Sequence, residues 1–207
     1  MDPKTTRDGS IKAATLLGVH VPPTLPLLES GLEMRNRDEV ASRILAMHVA
    51  AAVAYGFDRR RAISWLDRES ASDSLSGPER NFLFNAAADP NRFRLQIEGM
   101  WALAWAMSIV NELNFGKDCD SNFVLLLPNL KDGESGAAFR NRMKSRPVDD
   151  VISACDLAYC LHWAIRESEL TGRQLAGNLK GYVIIERRRA LEWLLHKGAW
   201  EGVSLDT

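Results

Sequence analysis

Residues 147–172 read PVDDVISACDLAYCLHWAIRESELTG, and residues 179–207 read LKGYVIIERRRALEWLLHKGAWEGVSLDT. These two stretches decide the fold class. In the first, Asp156, Tyr159, Trp163 and Arg166 follow one another at spacings of three, four and three. In the second, Arg187 stands four residues from both Val183 and Leu191. Such spacings share a face on a helix and scatter across a strand. Two helices are therefore expected, near 147–170 and 179–197, joined through a loop holding Gly172, Gly177 and Gly181.

The rest of the chain reads in the same way. A short opening helix is expected over Asp8–Leu17, stopped by Gly18 and by Pro22, Pro23 and Pro26, since proline lacks the N–H and constrains the residue before it. Val40, Ile44, Met47, Ala51 and Ala54 place a helix over Arg37–Tyr55, with Gly56 at the C′ position. Asp58 is positioned to cap a helix through Ile63, Trp65 and Leu66. Ser76-Gly-Pro-Glu79 is a capping box opening a short helix that holds Phe82, Leu83 and Phe84. Ile97, Met100, Trp101, Ala104, Trp105, Ser108 and Ile109 give a wide apolar face to a helix over Asn91–Val110. Between 111 and 136 the periodicity fails, around Gly116, Pro128, Gly133 and Gly136. One apolar island, Phe123–Leu127, suits either a buried helical turn or a lone strand. Ala137–Lys144 is helical. The expectation is an all-α, irregular bundle of about eight helices forming a single domain over 1–207, with 111–136 as the only candidate boundary.

Composition narrows the function classes. The 207 residues are 46% hydrophobic and 26% charged, with a formal net charge of −1. That is a soluble globular balance, without the excess of basic groups that nucleic acid or an anionic membrane calls for. The longest apolar run, Ile44–Tyr55, is about half a membrane span, and the start, MDPKTTRDGS, lacks the apolar centre of a signal peptide. Cys119, Cys155 and Cys160 form no Cys-x-x-Cys and read as free thiols of a reducing compartment. A cytoplasmic protein is expected.

Most chemical motifs fail on their own geometry. Asp118-Cys-Asp120-Ser-Asn122 opens like a calcium loop, but Phe123 stands where glycine must turn the chain and Asn129 where the bidentate glutamate belongs. The glycines at 172, 177 and 181 have no preceding strand and no Gly-Lys-Ser/Thr. They read as a helix cap and an interhelical turn. His20, His48, His162 and His196 lack zinc-ligand spacing. Neither metal nor cofactor is expected. The triplets Arg59-Arg60-Arg61 and Arg187-Arg188-Arg189 leave nucleic-acid binding as a minor reading.

What departs from a plain amphipathic pattern is charge on apolar faces. Glu98 lies on the Trp101/Trp105 face. Arg43 adjoins Val40, Ile44 and Met47. Asp156 and Arg166 share a stripe with His162 beside it, and Arg187 and Arg188 lie among Val183, Ile184, Leu191 and Leu195. An unpaired buried charge costs several kcal/mol. An interhelical network is therefore expected in which Glu98 and Asp156 meet two of Arg43, Arg166, Arg187 and Arg188, since the guanidinium fork matches a carboxylate. The competing reading opens Asp156, His162 and Arg166 into a cleft, with histidine as base and arginine as anion clamp.

These blocks, DLAYCLHWAIRESELTG, VIIERRRALEWLL and AWEGVSLDT, resemble a bacterial family catalogued as domain of unknown function 4272. Its pattern matches Asp156, Tyr159, His162, Trp163, Arg166, Glu186, Arg187, Ala190, Leu191, Trp193, Trp200, Val203, Asp206 and Thr207. Upstream, Arg35, Glu39, Val40, Ala41 and Arg43, with Glu98, Leu103, Trp105 and Ala106, also resemble family blocks. Glu201 departs from the usual aspartate, and Gly202 from a commonly acidic position. The resemblance supports one domain and implies no activity. The functional expectation is a protein-interaction or immunity-type module without catalysis, its partner another protein. The alternative is a small-ligand-binding protein or enzyme using the Asp/His/Arg cleft.

Overall fold

A computed structural model describes residues 2–85, 89–172 and 179–207. It is all-α, as the periodicity requires. The helices are α1 (Pro3–Leu16), α2 (Arg37–Ala54), α3 (Arg59–Arg68), α4 (Gly77–Asn85), α5 (Pro90–Leu95), α6 (Ile97–Ala106), α7 (Ala137–Arg142), α8 (Val148–Thr171) and α9 (Gly181–Leu195). Because α5 and α6 are the two parts of one expected helix, interrupted at Gln96, the described residues hold the expected eight.

The element at the centre is α2, in which every residue from Arg43 to Ala51 is buried. The apolar run Ile44–Tyr55, which exceeds a one-faced stripe, reflects this. Around α2 pack α3, α4, α5 and α6, while α8 lies against both α1 and α9, and α9 closes on α6. The α6/α9 approach is close because Gly99 has no side chain. A Cβ there would come within 3.2 Å of the Glu186 carbonyl oxygen and of the Met47 methyl group. The buried apolar side chains form a contiguous cluster running from Ala14 through α2 to Trp200.

Local chemistry explains most boundaries. Asn36 caps α2 and Asp58 caps α3, each accepting an amide three residues on; Gly56 beyond α2 has φ +95°. In the capping box the Ser76 amide donates to Glu79 Oε2 at 2.8 Å and the Glu79 amide to Ser76 Oγ at 3.3 Å. At the end of α8, Gly172 is left-handed at φ +66° and caps the helix. Gly177, the middle glycine of that loop, lies outside the described residues.

Two expectations are corrected, and one choice left open is decided. The first helix begins at Pro3 rather than Asp8, because Asp2 caps it through the Thr5 amide and proline sits in its first turn, where a missing N–H costs nothing. The helix expected to run to Val110 ends at Ala106. There the Ala106 and Met107 carbonyls accept amides from Arg146 and Lys144, and Ser108 turns left-handed at φ +54°. The island at 123–127 is a 3₁₀ turn, Phe123–Leu126, with Phe123 buried, and not a strand.

Candidate functional site

Four arginines are buried among the described residues: Arg7, Arg43, Arg187 and Arg188. All four are built alike. Each meets a carboxylate on a helix and donates to at least one backbone carbonyl outside the α-helices, although Arg43 Nε is left without a partner. Arg7 on α1 pairs with Asp156 on α8 through Nε (3.1 Å) and Nη2 (2.7 Å), and donates to the Leu25 and Pro26 carbonyls of the proline connector. Arg43 on α2 grips both oxygens of Glu79 at 2.6 and 2.8 Å and donates to the Ser74 carbonyl, while its guanidinium lies 4.1 Å from the Trp200 ring centre. Arg187 on α9 donates to Glu98 Oε2 through Nε (3.0 Å) and Nη2 (2.6 Å), then to the carbonyls of Asn114 and Lys117. The other oxygen of Glu98 accepts the Cys119 amide. Arg188 reaches Glu192, donates to His162 Nδ1 at 2.6 Å, and holds the Leu205 and Asp206 carbonyls of the C-terminal tail.

This geometry redraws the expected network. Glu98 and Arg187 meet. Asp156 takes Arg7, which stands just ahead of the expected opening helix, and Arg43 takes Glu79, expected only as part of the capping box. Arg166 is a correction: its side chain is 52% exposed and pairs along the helix surface with Glu169. Its stripe position sits too near the end of α8 for α9 to cover it. The second arginine triplet is likewise no basic patch, because two of its three members are these inward clamps.

The three candidates for a catalytic cleft are engaged separately. Asp156 is 1% exposed and bound by Arg7. His162 is buried, and burial together with the Arg188 and Arg166 charges lowers its pKa to about 4. It is therefore neutral, and the bond from Arg188 to Nδ1 places its proton on Nε2. Arg166 faces solvent. The thiols are also quiet: burial pushes Cys119 and Cys160 up to about 12 and Cys155 well above its ordinary value, far from the thiolate form that attacks electrophiles.

A well-developed concavity among the described residues lies elsewhere. It is a recess of about 540 Å³ between α2, the α5–α6 junction, the 118–127 segment and the start of α9. Ala51, Ala52, Ile97, Met100 and Leu127 contribute to its apolar lining. Tyr55, Leu95, Val124 and Tyr182 also line it and are 66%, 40%, 51% and 37% exposed. Its loop wall is fixed by the charged clamp already described. The Cys119 amide rests on Glu98, and Asp118 accepts hydrogen bonds from Tyr182 and Lys180, which hold its pKa down. His48 lines the recess from α2, with its Nε2 3.0 Å from the Pro128 carbonyl. Sequence reading missed this site, because its polar members were read singly and its walls come from segments distant in the chain.

Compared with known families, residues 7–203 match a family described as Domain of unknown function (DUF4272). No curated protein matches the chain, and no solved structure does.

Proposed function

We propose that the chain, which belongs to the DUF4272 family, is a non-catalytic binding protein of the protein-interaction kind, and that its partner docks on the apolar recess and rim. One observation carries this reading. Of the nine large apolar side chains exposed among the described residues, four (Tyr55, Leu95, Val124 and Tyr182) line one recess. Scattered apolar residues need no explanation, but a patch gathered around a concavity marks an interaction site. A small molecule enclosed in the recess would leave the outer rim wet. Leu125, next in the chain to Val124, is a further exposed apolar side chain at 77%. A polypeptide surface covers both.

The immunity-type version, in which the partner is a protein to be neutralised, is one form of this proposal. A bacterial cytoplasm suits it, since Cys119, Cys155 and Cys160 are unpaired thiols. One domain over the whole chain suits it as well. The enzyme alternative has less support, because the clamps engage Asp156 and His162 while Arg166 turns outward.

The test compares capture of partners from the source organism by the wild-type protein and by a Tyr55→Ser/Val124→Asp variant. Both positions are exposed, so the fold is retained. A protein retained in stoichiometric amount by the wild type and lost from the variant is expected. Equal retention by both, or no retained protein, contradicts the proposal.

A further inference from the structure

His48 carries an unused acceptor. Its Nε2 faces a carbonyl oxygen, which can only accept, so the ring proton sits on Nε2 and Nδ1 bears a lone pair. Among the described residues Nδ1 has no hydrogen-bond partner, although the residue is only 5% exposed. Nor is Nδ1 among the fully sealed unpartnered atoms, and the recess is the concavity that His48 lines. An acceptor this deep can be reached by solvent only through the recess, and a donor on an apolar body replaces that solvation while burying the apolar walls.

Of the other polar side chains of the recess, Tyr55 and Ser121 are exposed and keep their hydroxyls in water, and the rest are already engaged. Glu98 is taken by Arg187 and Cys119, and Asp118 by Lys180 and Tyr182. Asp120 accepts the Asn122 amide, and Arg94 holds the Ala54 carbonyl while its guanidinium lies over the Tyr55 ring. The buried polar group still open is therefore the His48 acceptor, which calls for one neutral donor, set in apolar walls of ligand-pocket size. Side chains that meet such a demand and anchor protein interfaces are tryptophan and tyrosine, with a flat apolar body and one N–H or O–H.

We infer that the recess accepts an aromatic anchor of the partner protein, a tryptophan or tyrosine whose ring N–H or O–H donates to His48 Nδ1. The inference rests on the recess being the partner face.

Indole and benzothiophene test it on the isolated protein, because they share shape and differ in the N–H. With ¹⁵N-histidine labelling, indole is expected to move the Nδ1 resonance of His48, and benzothiophene is not. N-acetyl-tryptophanamide, which carries the peptide groups of a real anchor, is expected to act like indole. His48→Phe is expected to lower the indole-to-benzothiophene affinity ratio by about threefold to tenfold, the effect of one hydrogen bond. Should that variant fail to fold, the nitrogen shift in the wild type decides alone. Binding of both heteroarenes with an unmoved Nδ1 and an unchanged ratio overturns the donor recognition and leaves the partner face standing. Binding of indole with exclusion of N-acetyl-tryptophanamide overturns the anchor in favour of a free small molecule. Binding of none of the three overturns the inference and the partner face together.

Discussion

Arg166 and Arg187 carry the same guanidinium to opposite ends. Arg166 lies on the surface against Glu169, where solvent screening leaves an ion pair worth about 0–1 kcal/mol. Arg187 is 1% exposed and holds one carboxylate and two loop carbonyls. Truncating it strands Glu98 inside the protein. Arg187→Ala should therefore lower stability by roughly 3–5 kcal/mol, and Arg166→Ala should stay within about half a kcal/mol of wild type, both read from denaturant unfolding. The histidines set a pH dependence of definite sign. His48 is lowered to about 4 by burial, and His162 to about 4 by burial and the Arg188 charge. Unfolded, each titrates near 6.5, so below that pH the unfolded state binds the extra protons. Stability from these residues is full above about pH 6.5 and is lost as pH falls towards 4. Between pH 7 and pH 5 the loss is roughly 2 kcal/mol per histidine. Unfolding midpoints at the two pH values measure it, and His48→Phe should flatten the slope.

The helices were legible because their signals are local. Apolar spacing, Asn36, Asp58, the Ser76/Glu79 box and the glycines at 56 and 172 act within one or two turns. The start of α1 was written in Asp2-Pro3 and passed over because no apolar stripe accompanies it. That omission hid Arg7, and with it the partner of Asp156. The end of α6 was not legible, since the groups that terminate it come from residues 144–146. Charge on an apolar face identified Arg43, Glu98, Asp156, Arg187 and Arg188 as buried, because burial follows from helical phase. It placed Arg166 wrongly, because phase does not say where a neighbouring helix stops. Pairing across helices depends on the packing, and of the buried carboxylates only Glu98 took one of the arginines expected for it.

At the scale of the whole molecule, the irregular segments are part of the architecture. The 111–136 stretch has little regular structure of its own, so its backbone groups need partners from elsewhere. Helix side chains supply them. Arg187 holds the Asn114 and Lys117 carbonyls, Glu98 the Cys119 amide, His48 the Pro128 carbonyl, Arg61 the Lys131 carbonyl and Trp65 the Glu134 carbonyl. The recess wall is thus held by the clamp beneath it, and under the binding role proposed above the buried charges act indirectly, by fixing the loop that shapes the recess. In this account the Glu98–Arg187 pair is there to position the loop, with little net effect on global stability. Hydrogen exchange on a Glu98→Leu/Arg187→Met variant tests that most directly, because removing both partners leaves no orphan charge and can be nearly neutral for the fold. The account predicts amides of 112–121 losing protection while those of α2, α8 and α9 keep theirs. Unchanged protection across 112–121, or an equal loss over the whole chain, would contradict it.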